Sequence, residues 1–375
     1  MELNVFLDFI DHHFNESFFV TKHVHFFGQP GIDLGKQGYQ VALLGVPDEV
    51  DNRVFEVADQ IRSQLYQLAQ LTNNLSLIDL GNVKPGNSYT DTCVAISEVF
   101  QVMTRNRIIL ILIGGTSHYN YGGILTYQKN NVPLNMVSID SRFSRESIEE
   151  CFLSGKQVAG MDGGYQMANY INIGYQSYFV PQSVLDYVDD YYFEAYRLGF
   201  VRTNVKEMEP VLRDANHVTF SLNAIKHADA PGALKSSPNG LSGDEACQLS
   251  FFTGHSNRIT SLGIYDMSVT KDIHQTTSQL AAQVVWYFLE GVANRIFEEP
   301  DLKPQNFTKY LIHNNDSNQD LAFYQSNLTN RWWMELFFHQ QNHYLILSCS
   351  ENDYELACKQ EIPDRWWKAY QRMQN

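Results

Sequence analysis

Positive charge is scarce in this chain. Its 375 residues hold 27 Lys and Arg against 42 Asp and Glu, for a net charge of −15. That balance argues against nucleic acid as a partner, because counterion release needs clustered cations. The five cysteines, Cys93, Cys151, Cys247, Cys349 and Cys358, are odd in number and none lies in a CxxC pair, so neither a disulfide framework nor a zinc ribbon is suggested. No apolar run approaches the roughly 20 residues of a membrane span. The N-terminus, MELNVFLDFIDHHF, is acidic and lacks the basic segment of a signal peptide. These absences lead us to expect a soluble, cytoplasmic protein with neither a membrane nor a nucleic-acid partner.

At 44% hydrophobic and 18% charged residues, the composition supports one large α/β domain or two smaller ones. Residues 1–37 form an aromatic-rich lead-in containing His12, His13, His23 and His25. The HxH pair has no acidic or cysteine partner close in sequence, so these histidines read as packing or surface residues. Beyond it, strands and helices alternate. Residues 41–46 are continuously apolar, as in a strand covered on both faces. Residues 54–71 place Val57, Ile61, Leu65 and Leu68 on one helical stripe. Strands are expected at 76–80, 107–113, 134–144, 170–180 and 259–267, and helices at 91–104, 186–198, 206–213, 243–253 and 277–291. Residues 201–205 read as short and extended. From about 294 the pattern changes to strands at 307–312, 321–326 and 343–348 between polar turns. The pairs Trp332-Trp333 and Trp366-Trp367 read as aromatic anchors for a C-terminal extension. The expected organisation is thus 1–37, 38–293 and 294–375, with a mainly parallel sheet in the middle segment.

The stretch 218–232, VTFSLNAIKHADAPG, organises the rest. It opens as a buried strand and ends in the turn Asp229-Ala230-Pro231-Gly232. Strand alternation would turn Ser221 and Asn223 to the same side. The glycine-rich loop Gly114-Gly115-Thr116-Ser117-His118 follows a strand but lacks GK[ST] and GxGxxG spacing, so a phosphate cradle is a weak reading of it.

From Thr219 this stretch resembles the arginase, or ureohydrolase, superfamily signature SFDVDGLDPSFAPG. Three further segments resemble motifs of the same superfamily in the same order: the loop at 114–118 (GGDHS), 134–144 (VSIDAHxD) and 259–267 (LDIMEVNP). The run TSQLAAQVVWYFL is similar to the helix TARLAAQLIWYFL that follows. The closest flavour is the formimidoylglutamase-like branch. The resemblance implies a three-layer α/β/α fold with an eight-stranded, mainly parallel sheet, a pocket at the strands' carboxyl ends, and a homo-oligomer. It also implies two manganese ions held by two histidines and four aspartates, with a bridging hydroxide attacking an amidine or guanidinium carbon.

Laid on without a gap, those six ligand positions fall on Ser117, Asp140, Arg142, Ser144, Ser221 and Asn223, so only Asp140 keeps its ligand type. His118 lies one place past the histidine position, Lys226 replaces a further signature aspartate, and Asp266 takes the place of the glutamate that binds the substrate cation. Two divalent ions about 3.5 Å apart repel by roughly 19 kcal/mol at an effective dielectric of 20. Hydroxyls, an amide and a guanidinium do not offset that, so no metal cofactor is expected and Asp140 with Arg142 reads as an internal ion pair. Three readings follow. In the first the chain is a non-catalytic binding, regulatory or assembly protein, holding a small anion or carboxylate through Arg142, Lys226 and the helix start after Gly115. In the second it is a formimidoylglutamase-type hydrolase that keeps one displaced manganese on His118 and Asp140, with Asp266 facing the same cavity. In the third it is a metal-free enzyme using Asp140 and His118 as base and orienter, with Cys247 either a nucleophile or a packed helix residue.

Overall fold

The computed structural model describes residues 3–10, 24–30, 32–35, 38–48, 55–71, 73, 75–130, 132–145, 148, 169–301, 303–314, 319–338 and 343–374. Its centre is a sheet whose parallel strands are β3 (Val41–Gly45), β4 (Leu77–Val83), β5 (Ile109–Ile113), β6 (Asn135–Ile139), β7 (Asn169–Tyr175), β8 (Glu194–Arg197), β9 (His217–Ser221) and β10 (Ser261–Tyr265). They lie in the order β4-β3-β5-β10-β9-β6-β7-β8. Two lead-in strands, β1 (Leu7–Asp8, antiparallel) and β2 (Val24–Phe26, parallel), pair with the outer edge of β4. The described strands of the lead-in, residues 7–8 and 24–26, therefore extend the sheet. His12, His13 and His23 lie outside the described residues, and His25 stands edge-on to Tyr39.

Continuous apolar strands are what a sheet covered on both faces requires. In β3, Val41 and Leu43 enter one core with α1 (Glu56–Leu65), α6 (Met208–Arg213), α7 (Gly243–Gly254) and α8 (Thr276–Ala293). Ala42 and Leu44 enter a second core with α2 (Tyr89–Arg105), α3 (Asn120–Asn130) and α4 (Gln182–Asp190). The result is three layers, α/β/α. The α2 helix starts where Ser88 caps the Asp91 amide, and α7 opens on a Ser242–Glu245 capping box. Asp272 accepts from the Thr277 and Ser278 amides (2.8 and 2.9 Å) and so begins α8.

Two expectations between β7 and β9 are corrected. Residues 186–198 do not form one helix: α4 ends at Asp190 and β8 follows. Residues 201–205 are not extended, because α5 (Leu198–Thr203) and a 3-10 turn occupy them. Glu194, Ala195, Tyr196 and Arg197 pair along β7, so sheet pairing overrides a local pattern that is compatible with helix.

The C-terminal segment forms a four-stranded antiparallel meander: β11 (Phe307–Asn314), β12 (Gln319–Ser326), β13 (Trp332–Phe338) and β14 (His343–Cys349). The tryptophan pair 332–333 thus lies in a strand that its sequence had not announced, with Trp332 and Trp333 turned to opposite faces. Helices α9 (Glu351–Cys358) and α10 (Asp364–Gln374) cover the face carrying Trp332.

This unit docks at the amino ends of the parallel strands. Arg365 of α10 is the pin. It pairs with Glu194 at the start of β8 and with Asp214 just before β9, both at 3.2 Å, and donates to the Ser348 carbonyl at 2.6 Å. Asp214 also accepts from the Ser348 amide and hydroxyl. Arg213 donates to the Trp332 and Cys349 carbonyls while its guanidinium lies 4.2 Å from the Trp333 ring centre. Burial would raise the Glu194 carboxyl, but the Arg365 and Arg372 guanidiniums outweigh burial and hold it below its ordinary value.

Arg365→Met should therefore deprive two buried carboxylates of their shared guanidinium and cost about 3–5 kcal/mol. Urea unfolding followed by tryptophan fluorescence measures it, and an unchanged transition would contradict this docking mechanism. Because the Glu194 pKa is depressed, its stabilisation is present above the unfolded carboxyl pKa of about 4.3 and is lost as pH falls through the lower folded value. The wild-type stability curve should lose that acid limb in Glu194→Gln.

Candidate functional site

Three adjacent central strands, β6, β9 and β10, deliver polar residues to their carboxyl ends. This is where open α/β sheets hold ligands. After β5 the chain turns through Gly114 and Gly115, both at positive φ (92° and 62°). A Cβ on Gly115 would come within 2.7 Å of the Pro47 carbonyl, so the turn needs glycine there. It leads into a 3-10 turn, Ser117–Tyr119, and then α3.

Asp266 lies one residue past β10 and is 5% exposed, with φ at +70°. Asp is among the few residues that tolerate this left-handed region. Its amide donates to the Gly115 carbonyl (3.0 Å). Its Oδ1 accepts from the Ser117 amide (3.0 Å) and its Oδ2 from the Ser221 hydroxyl (2.7 Å). One carboxylate thus ties the ends of β5, β9 and β10 together.

Asp140 follows the last residue of β6, beside this cluster. Its Oδ1 accepts from the Arg142 amide (3.1 Å) and the Ser141 hydroxyl (3.4 Å). Burial, and then the neighbouring Asp266 charge, push its pKa up to about 7, although the Arg142 amide, Ser221 and Ser141 pull the other way. Asp140, Ser221 and Asp266 therefore form a two-carboxylate cluster bridged by a serine, with one carboxyl poised to titrate near neutrality.

Several expected members lie elsewhere. The Asp140–Arg142 ion pair does not form. The Arg142 guanidinium lies over the Phe179 ring, 3.6 Å from its centre, and its Nε is buried without a hydrogen-bond partner. His118 is exposed and edge-on to Tyr89, and neither a hydrogen bond nor an ion pair joins it to Asp140. Ser144 is exposed. Asn223 is buried, but β9 ends at Ser221 and a 3-10 turn follows, so strand alternation does not govern it. Its Oδ1 accepts the Lys235 amide at 2.6 Å, and its own amide donates to Ser221 Oγ. Lys226 pairs with Asp229 at 3.2 Å. Cys247 is buried in α7, and burial pushes its thiol up to about 12, which removes it as a nucleophile near neutral pH.

The donor chemistry does not fit a binuclear manganese centre. The positions that resemble the family's ligand positions offer three serine hydroxyls, an amide, a guanidinium and one carboxyl, Asp140, and of these Ser221 donates to Asp266 and Asn223 accepts from the Lys235 amide. Among the described residues no three His, Cys, Asp or Glu side chains gather where they could hold a metal ion. No helix of the described residues is long and apolar enough to cross a membrane.

Sequence reasoning missed the residues at the ends of β7 and β8. Gln176, 2% exposed, donates from its amide to the Ser141 carbonyl and from Nε2 to the Asn239 carbonyl, both at 3.0 Å. It stands beside a cleft of about 460 Å³ that Arg197 and Arg202 also line. The only available signal was the short strand β8, hidden in a stretch that reads as helix.

Comparison with known proteins places this geometry. The formimidoylglutamase of Staphylococcus haemolyticus (strain JCSC1435) is 23% identical over 241 residues, covering 62% of this chain and 77% of that protein. That of Staphylococcus aureus (strain Newman) is 24% identical over 245 residues, covering 63% and 78%. Among solved structures, the formimidoylglutamase from Bacillus subtilis superposes with a TM-score of 0.61 at 16% identity, over 78% of this chain and 98% of that one. Trypanosoma cruzi formiminoglutamase with Mn2+ gives 0.58 at 15% identity, over 70% and 95%. At these identities the structural likeness concerns the fold. The family model described as "Arginase family" matches residues 39–290, a span that contains every strand from β3 to β10, and the chain belongs to the arginase family.

Proposed function

We propose that this chain takes a linear amidine or guanidino compound as its ligand and does so without a binuclear manganese centre. The observation that carries the reading is the Asp140–Ser221–Asp266 cluster at the carboxyl ends of β6, β9 and β10. Two carboxylates offer about four lone-pair directions each, and only part of that capacity is used within the protein. An amidinium or guanidinium presents planar N–H donors and a fixed positive charge that match such a pair. The relatives' name, formimidoylglutamase, points to the same ligand class. The loss of metal binding is supported by where the substituted side chains go: Ser221 bonds Asp266, and Asn223 bonds the Lys235 backbone. Hydrogen bonds thus join strand ends at positions that resemble metal-ligand positions of the family.

Hydrolysis of such a ligand is the second reading, and the relatives favour it. Asp140 with its pKa near 7 suits it, since a base of that strength can accept a proton from water near neutral pH. Water would add to the amidine carbon, its proton would pass to Asp140, and the departing nitrogen would take that proton as the C–N bond breaks. His118 has no part in this step, and neither does a displaced manganese ion.

Cation binding next to Asp140 should expel its proton. Affinity for agmatine or 4-guanidinobutyrate, measured by titration calorimetry, should therefore rise between pH 6 and 8, and Asp140→Asn should flatten that rise. Asp266→Asn should weaken binding by about tenfold or more. Absence of binding by any amidine or guanidino compound at pH 8 would sink the ligand class. Release of ammonia or formamide from formimidoylglutamate would establish the hydrolytic reading over simple binding. After incubation with excess manganese and removal of free metal, elemental analysis should find no stoichiometric manganese, whereas two ions per chain would overturn the metal-free reading.

A further inference from the structure

We infer that β11 is a dimerisation edge, where a second copy of this chain adds its own β11 antiparallel about a two-fold axis at Leu311. The inference is independent of the proposed function. Among the described residues β11 pairs with β12 alone and forms one edge of the C-terminal sheet. Bonded pairs recur at every second residue of an antiparallel ladder. The Asn327 amide bonds the Asn306 carbonyl, one pair before β11 starts, so Thr308, Tyr310, Ile312 and Asn314 turn their backbone groups toward β12. Phe307, Lys309, Leu311 and His313 turn theirs outward. The His313 carbonyl agrees with this parity, since it accepts from Gln360 Nε2 (3.1 Å) rather than from β12. Among the described residues nothing bonds the outward amides and carbonyls of Lys309 and Leu311.

Exposed edges usually carry a guard, such as a proline, a bulge or a charge held out over the edge. β11 lacks all three. It pairs with β12 along its whole length without a register shift and contains no proline. Its lysine, Lys309, reaches back across its own sheet to the Tyr324 hydroxyl (2.7 Å) and to Glu335 (3.1 Å). Leu311 stands in the middle of the open row and is 67% exposed. The opposite edge, β14, is occupied by Asp214 on the Ser348 amide and by Arg213 on the Cys349 carbonyl. Pairing through β11 therefore closes on itself as a dimer instead of growing into a fibre. A second copy is favoured over other occupants because the strand matches itself. With Leu311 on the axis, Leu311 meets its own copy, and its outward amide and carbonyl make two reciprocal backbone bonds. Each Tyr310 meets an Ile312, an aromatic and β-branched pair. Both are partly buried on the core beneath α9 and α10, so the pairing extends their cover. Each Lys309 meets a His313 whose ring is held on Asp320 at 2.8 Å, which brings a cation toward a carboxylate.

The test uses the full chain and measures its mass in solution by sedimentation velocity over a dilution series. Leu311→Pro removes an amide that points away from β12, so the fold survives while the edge is blocked. The inference expects this variant to have half the mass of the wild-type assembly with an unchanged far-UV circular dichroism spectrum. A second measurement reads the register directly. Opposed residues of a bonded antiparallel pair have Cα atoms about 5.5 Å apart, within disulfide reach. In a Cys358→Ser background, Leu311→Cys should therefore cross-link two chains on mild oxidation. His313→Cys should not, because its two copies would lie roughly 14 Å apart along the strands. A wild-type mass of one chain at every concentration would overturn the inference. So would an assembly whose mass Leu311→Pro leaves unchanged, which would place the second copy on another surface. Failure of Leu311→Cys to cross-link, or equal cross-linking through position 313, would overturn it even where the proline variant does not fold.

Discussion

The carboxylate of Asp266 is the constraint on which the carboxyl end of this sheet depends. Parallel strands end with unsatisfied backbone groups and diverging loops, and something must gather them. Asp266 does so by accepting from Ser117 and Ser221 while its own amide bonds Gly115, joining β5, β9 and β10 in one hydrogen-bonded knot. The knot requires Asp266 in the left-handed region, a backbone cost that only surrounding contacts sustain. The same knot puts a negative charge next to Asp140, and that charge adds to burial in lifting the Asp140 carboxyl toward neutrality. The architecture of the strand ends and the chemistry of the site thus have a common source.

The opposite end of the sheet is closed by different means. There the C-terminal meander and its helices cover the strand starts, held by Arg365 between Glu194 and Asp214. The arrangement leaves the carboxyl ends free of the extension, so the added unit does not compete with the polar cluster. It also explains the tryptophans. Trp332 packs beneath α9 against Tyr354, and Trp333 turns the other way to meet Arg213 and Phe307. Adjacent residues in a strand face opposite sides, so one pair serves two packing surfaces.

Much of the parallel sheet was legible in the chain. Runs such as 109–113 (ILILI) are apolar at every position, which only a strand covered on both faces tolerates, and the helix at 277–291 declared itself by its length and apolarity. The four motifs pointed to the arginase family, and the family match over residues 39–290 bears that family out. β8 was hidden because four residues, Glu194–Arg197, carry too little pattern to outweigh a helical reading, and their pairing with β7 is a long-range fact. Arg62 makes the same point. It lies on α1 and is fully buried on Asp79 and the Gly81 carbonyl, partners 17 and 19 residues away in the chain.

The sequence by itself determined the fold class and the family, because these follow from local hydrophobic pattern and from residue identity at matched motifs. Only the tertiary structure decided which polar residues converge. Asp140, Ser221 and Asp266 meet because β6, β9 and β10 are neighbours in the sheet although they are far apart in the chain. The side chains of His118, Arg142, Asn223 and Lys226 engage other groups instead, namely Tyr89, Phe179, the Lys235 backbone and Asp229. A polar side chain goes where desolvation is best compensated, and that competition is settled by three-dimensional neighbours rather than by spacing along the chain.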